Sequence, residues 1–89
     1  MRARRSKNNI LQEILRICSK GENITQIVYR SNTNFTTAKF FIESLKENNL
    51  LETINGSTIL YKTTAKGLTV LGRLKMLHDE LDGAIRKPS

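Results

Sequence analysis

The sequence is poor in the residues from which most active sites are built: one cysteine, one histidine and no tryptophan in 89 residues. With Cys18 as the only thiol, no disulfide can close within the chain, and Cys and His ligands cannot assemble a metal site within one subunit. A Cys–His nucleophilic pair would have to use Cys18 and His78. Cys18 falls on an apolar helical stripe, where a thiol behaves as a small buried hydrophobe. His78 lies among charged residues and reads as a solvated side chain. No P-loop or dinucleotide fingerprint occurs. A chain this short encloses one core, and its 38% apolar content leaves no margin for a deep catalytic cleft. The expectation is a protein that is not an enzyme and uses no metal and no cofactor. Long apolar runs are missing too. Nothing approaches the roughly 20 residues that span a bilayer, and the basic start Met1-Arg2-Ala3-Arg4-Arg5 lacks a signal-peptide core behind it. A soluble cytoplasmic protein without membrane contact is expected.

Acidic residues are also scarce, 8 against 15 Lys and Arg, which leaves a net charge of +7. The surplus sits at the ends: residues 1–20 hold six basic and one acidic side chain, residues 21–60 three and four, residues 61–89 six and three. Such a surplus favours polyanionic partners and makes their capture salt-dependent.

What is present is a succession of hydrophobic periods. Arg2, Arg4, Arg5 and Lys7 form a basic arm over residues 1–7. Ser6 offers an N-cap, and Ile10, Leu11, Ile14, Leu15 and Cys18 then recur at steps of three and four, predicting a first helix that stops at Gly21. Asn23 is placed to cap a short second helix, with Ile24, Ile27 and Val28 inward and an end near Tyr29 or Arg30. The turn formers Ser31-Asn32-Thr33-Asn34 follow, Asn32 being suited to the left-handed conformation. A third helix is expected from about Asn34 to Asn48, with Phe35, Ala38, Phe41, Ile42 and Leu45 on its core side.

The period then shortens. Residues 50–54 read as a strand, Asn55-Gly56 as a two-residue type I′ turn, and Ser57 to Lys62 as the returning strand, which predicts a hairpin whose loop barely projects. Thr63 or Thr64 can cap a last helix from about Ala65 to Arg86, ending before Pro88. In it Val70, Leu74, Leu77, Leu81 and Ala84 alternate steps of four and three, the coiled-coil rhythm, and Leu68, Leu71 and Ile85 broaden the stripe. About 22 residues span roughly 33 Å, longer than one side of so small a domain. The distal half therefore needs a partner helix, and a homodimer is expected with Val70, Leu74, Leu77, Leu81, Ala84 and Ile85 at its interface.

Helices two and three around a short polar turn have the form of a helix-turn-helix, and a hairpin directly after them completes a winged helix. The fold class is α+β, mainly α: three helices, a two-stranded hairpin and a long C-terminal helix. The winged-helix domain occupies residues 8–63, and the dimerisation helix, residues 64–89, belongs to the same domain. On a helical wheel the outward side of helix three presents Thr36, Lys39, Phe40, Glu43 and Glu47, with Thr37 and Ser44 at its margins. The N-terminal part of such a face enters the major groove of double-stranded DNA. Asn34, Thr36, Thr37 and Lys39 are the candidates for base or phosphate contacts, and an outward Phe40 can meet a thymine methyl or sugar atoms, or bury itself in a subunit contact. Arg30, Ser31 and Asn32 border the turn and can hold phosphate. The arm would supply most of the nonspecific attraction. Asn55, Gly56 and Ser57 at the wing can approach a backbone, with Lys62 at the hairpin base. A winged helix that binds protein and not DNA is the alternative. Single-stranded binding would favour exposed stacking platforms, for which only Phe40 and Tyr29 stand out.

Several short motifs also resemble those of the small archaeal winged-helix DNA-binding proteins of about ten kilodaltons, the "10a" type. They are Arg4-Arg5-Ser6-Lys7, Ile27-Val28-Tyr29-Arg30-Ser31-Asn32, Asn34-Phe35, Asn49-Leu50-Leu51 and Tyr61-Lys62-Thr63-Thr64-Ala65-Lys66-Gly67. The resemblance covers nearly the whole chain. It implies an elongated dimer joined by an antiparallel pair of C-terminal helices with a winged-helix head at each end. It also implies DNA binding, in chromatin organisation or transcription regulation, and hence a nucleoid-associated location. This third helix is less basic than that resemblance would suggest.

Overall fold

The computed structural model describes residues 7–86, except for the side chains of His78 and residues 82–86. The basic arm residues Arg2, Arg4 and Arg5 and the expected cap Ser6 lie outside the described residues. The first helix, α1 (Lys7–Ile17), buries Ile14 and Leu15 completely, as their spacing requires. It tightens into a 3-10 turn, Cys18–Lys20, that ends at Gly21 with φ of 97°. A residue with a Cβ is strained in that conformation, which explains glycine at the stop. Helix α2 (Ile24–Ser31) opens on Asn23, whose Oδ1 accepts the Gln26 N–H at 2.9 Å. It ends at Asn32, left-handed at φ 58°, so it runs one residue past the expected end. Helix α3 (Phe35–Glu47) opens in the same way, with Asn34 Oδ1 accepting the Thr37 N–H at 2.8 Å.

Ala38, Phe41, Ile42 and Leu45 of α3 join Ile14, Leu15, Cys18, Ile27 and Leu51 in the core. Phe35 does not. It is 54% exposed, contrary to the expectation that it shares the core side. Its Cβ lies about 70° from the centre of the buried stripe at 100° per residue. It also starts the helix, where no preceding element covers it.

The hairpin departs from the sequence reading more clearly. Strands β1 (Leu51–Ile54) and β2 (Leu60–Thr63) pair antiparallel with Leu51 opposite Thr63 and Ile54 opposite Leu60. The loop is therefore the whole of residues 55–59, and the strand expected to return from Ser57 begins only at Leu60. Neither Asn55 nor Gly56 has a positive φ, so there is no type I′ turn. The register is fixed from below. Thr63 is buried, and its hydroxyl donates to the Leu15 carbonyl at 2.7 Å. Tyr61 exchanges two backbone hydrogen bonds with Glu22, at 2.8 and 3.0 Å, adding a one-residue third strand that the sequence reading did not include. A two-residue turn would place Leu60 opposite Leu51, a shift of three residues that turns Tyr61 and Thr63 to the other face. These two anchors outweigh the local preference of Asn-Gly.

Helix α4 spans Ala65–Arg86, as expected. Thr64, not Thr63, caps it: its hydroxyl accepts the Gly67 N–H and donates to the Asn49 carbonyl at 2.7 Å. Gly67 is buried at the point where α4 crosses residue 50. A Cβ there would run into the Leu50 carbonyl oxygen and the Thr63 methyl. Only the proximal part of α4 has a domain to lie on. Leu71 packs against the core, Val70 and Leu74 are half-buried, and Met76, Leu77 and Leu81 are more than half exposed. The extents of 55 × 32 × 19 Å reflect this elongation. Among the described residues no helix is long and apolar enough to cross a membrane.

Two of the glycines in α4, Gly67 and Gly72, should respond in opposite directions to alanine. Gly72 is exposed with nothing within 4 Å of a new Cβ. Gly72→Ala should stabilise the chain by up to about 1 kcal/mol through helix propensity. Gly67→Ala should destabilise it by about 1–3 kcal/mol through overpacking. Thermal unfolding of the two variants checks both signs.

Candidate nucleic-acid interface

With its apolar stripe turned inward, α3 presents Thr36, Lys39, Phe40, Glu43 and Glu47 to solvent, and all five are exposed. Thr37 is half-buried at the margin, and Asn34 is exposed at the cap. These residues form one continuous face at the helix N-terminus, whose unpaired N–H groups carry partial positive charge. Further along, the character changes. The Glu43 carboxylate lies 3.8 Å from the Lys46 ammonium, and Glu47 is exposed one turn on. The surface thus runs from hydroxyl, amide and cation at its start to carboxylate at its end.

Around the turn the candidates separate. Asn32 is exposed and shapes the turn through its left-handed backbone. Arg30 is exposed, and its Nη1 lies 3.4 Å from Glu22 Oε1. A surface pair of this kind contributes little to stability and can yield to another anion. Ser31 is a correction. Its side chain is completely buried, and its hydroxyl donates to the Ile27 carbonyl at 2.6 Å while lying 2.8 Å from Thr33 Oγ1. It braces the turn and presents no surface to a duplex. The reason is its position one helical turn after Ile27, which puts it on the core side of α2.

Asn55 and Ser57 are exposed in the five-residue loop, and Lys62 is exposed on β2. The same loop and β1 expose two side chains that the sequence reading did not single out, Ile59 at 51% and Ile54 at 40%. Ile54 ends β1, and the misjudged turn placed Ile59 inside the returning strand when it closes the loop. Lys7 is exposed at the start of α1. Tyr29, at 78%, and Phe40, at 62%, are open surface aromatics, and Phe35 joins them.

Open grooves lie outside α3. One, of about 600 Å³, runs between α1 and α4 and is lined by Glu13, Arg16, Leu71, Lys75 and Asp79 among others. The second, of about 400 Å³, lies between the start of α2 and the loop, beside Gln26, Thr58 and Ile59. Among the described residues no group of three or more His, Cys, Asp or Glu side chains could hold a metal ion. Cys18 is buried in the core. Its thiol is pushed up from 9.0 to about 12, first by burial and then by the Glu22 charge, with Arg30 acting in the opposite sense.

The sequence matches the winged helix-turn-helix family profile over residues 4–82. The fold is similar to that of Sso10a-2, a DNA-binding protein from Sulfolobus solfataricus, with a TM-score of 0.75 and 24% identity over 93% of this chain and 92% of that one. It is also similar to AF1382 from Archaeoglobus fulgidus, with a TM-score of 0.69 and 20% identity over 85% and 90% of the two chains. A third likeness is to the homodimeric winged helix-turn-helix DNA-binding domain of Mb0332 from Mycobacterium bovis, a possible ArsR-family transcriptional regulator. There the TM-score is 0.74 and the identity 17%, over 93% of this chain and 80% of that one. Identities this low show a shared fold. The resemblance to small archaeal winged-helix proteins, drawn from short motifs, is met by the first of these structures. No match was found among curated proteins.

The buried thiol gives a test of the core. Its folded state favours the protonated form, so the stability it contributes is present below about pH 9 and is lost as the pH rises towards 12. Native protein should resist thiol-labelling reagents at pH 8, and the urea-unfolded chain should label rapidly.

Proposed function

This chain belongs to the winged helix-turn-helix family, and from that membership we propose that it binds double-stranded DNA as a homodimer. It acts as a transcription regulator or as a nucleoid-associated protein. The observation that carries the reading is the outward face of α3: Asn34, Thr36 and Lys39 are exposed at a helix N-terminus. Hydroxyl, amide and ammonium groups there suit base edges and phosphate alike. In this reading Asn34, Thr36, Thr37, Lys39 and Phe40 enter the major groove. Arg30, Asn32, Asn55, Ser57 and Lys62 meet backbone on either side. Lys7 and the arm residues Arg2, Arg4 and Arg5 add charge. Glu43 and Glu47 confine the duplex to the first turns of α3, because carboxylates deeper in the groove would meet phosphate.

The dimer rests on α4. Leu77 and Leu81 are 53% and 56% exposed in the single chain, and they continue the half-buried Val70 and Leu74 in heptad rhythm. Two such stripes bury each other, and an antiparallel pairing puts one winged helix at each end; the side chains of Ala84 and Ile85, also expected in this seam, lie outside the described residues. The likeness to Sso10a-2, described as DNA-binding, and to Mb0332, described as homodimeric, supports both parts. A protein-binding adaptor without DNA contact is the second reading. It is favoured by the exposure of Tyr29, Phe35 and Phe40 on one helix-turn-helix.

Titration with duplex DNA at about 50 and 200 mM salt tests the first reading. About four neutralised phosphates should weaken binding roughly a hundredfold between those salts. Lys39→Ala should lower both the affinity and the salt slope. Absence of duplex binding at the lower salt would transfer the assignment to the adaptor. For the dimer, Leu77→Asp should give monomers in sedimentation, and a variant that stays fully dimeric would contradict the role of α4.

A further inference from the structure

We infer that α3 reads the C5-methyl group of thymine, through the Phe40 ring and the Thr36 methyl. The inference rests on the duplex-binding reading and gives that site a base preference. Phe40 is 62% exposed although it sits in the middle of an ordered helix. It is one turn beyond Thr36 and about 40° from it around the helix axis at 100° per residue. The two side chains thus form an adjacent apolar strip on the outward face.

The ring leans on the core at one edge. Its centroid is 5.5 Å from that of Phe41 at an interplanar angle of 65°, an edge-to-face contact. Phe41 is only 8% exposed, so the Phe40 ring has a buried neighbour on one side and solvent on the other.

The hydrogen-bonding groups around the strip are few. Guanine is read by a bidentate Arg or Lys; α3 contains no Arg, and Lys39 is the one cation on its outward N-terminal face. Adenine is best read by the donor and acceptor of one Asn or Gln. The only amide at the start of α3 is that of Asn34, and its oxygen already accepts the Thr37 N–H at 2.8 Å. One half of the adenine pairing is thereby occupied. Lys39 supplies a single flexible cation. Among the groups that base pairs present in the major groove, the thymine methyl is the one that an aromatic ring and a threonine methyl match. The face is therefore built to select A·T pairs by apolar contact.

The test compares two duplexes of alternating sequence and equal length, one of dA and dT, the other of dA and dU. Replacing dT by dU removes the methyl and keeps the charge and the base pairing. Wild-type protein should bind the dU duplex about fourfold more weakly for each buried methyl, with an unchanged salt slope. Phe40→Ala should lose most of that discrimination while still binding, and circular dichroism should show it folded at the temperature of the titration. Equal wild-type affinity for the two duplexes would overturn this inference and leave the duplex-binding reading intact. Full discrimination retained by both Phe40→Ala and Thr36→Ser would overturn it as well. No binding to either duplex at low salt would overturn both readings together.

Discussion

The rotation of α3 about its own axis governs the rest of the molecule. Ala38, Phe41, Ile42 and Leu45 can be buried together in only one orientation, against Ile14 and Leu15 of α1 and Ile27 of α2. Each large apolar side chain withdrawn from water in this way contributes about 1.5–3 kcal/mol. Turning α3 by half a revolution would expose all four and bury Thr36, Glu43 and Glu47 instead. No hydrogen bond on the outward face could offset that cost. The core therefore selects which side chains meet a partner, although none of the core residues touches one. Asn23 and Asn34 cap their helices, and Asn32 supplies the left-handed residue that lets α2 and α3 meet at a fixed angle.

The same logic extends to the wing and to α4. The Thr63 hydroxyl on the Leu15 carbonyl ties the base of the hairpin to α1. Thr64 ties the next residue to the Asn49 carbonyl, and Gly67 allows α4 to pass against Leu50. Three successive side-chain requirements thus fix where the loop emerges relative to α3 and where α4 departs. The apolar stripe of α4 begins on the domain and continues beyond it. One helix therefore completes the core of its own chain and offers an unsatisfied surface to another.

Much of this was legible from residue spacing. The helices, the Asn23 cap and the outward face of α3 follow from periodicity and cap chemistry, because both are local properties. The hairpin loop was misread because its register is decided by contacts distant in sequence: Thr63 with Leu15 and Tyr61 with Glu22. A strong local turn signal gave way to two anchors on other elements, of which Thr63 is buried. Ser31 was misassigned for a related reason. Its residue type suits phosphate, but its place one turn after Ile27 commits its hydroxyl to the backbone. Phe35 was assigned to the core by helical spacing, but it lies off the centre of the buried stripe in the first helical turn and is left half open. Sequence reading succeeded where a side chain answers to its neighbours along the helix, and failed where it answers to another element.

The central claim is that the N-terminal face of α3 is the surface that meets a duplex. It is tested most directly by mapping amide chemical-shift changes while a short DNA duplex is added to isotope-labelled protein. The account predicts the largest changes at residues 34–40, smaller ones in the loop 55–59, and little change along the proximal half of α4. Changes concentrated on α4 or in the α1–α4 groove, with residues 34–40 unmoved, would contradict it.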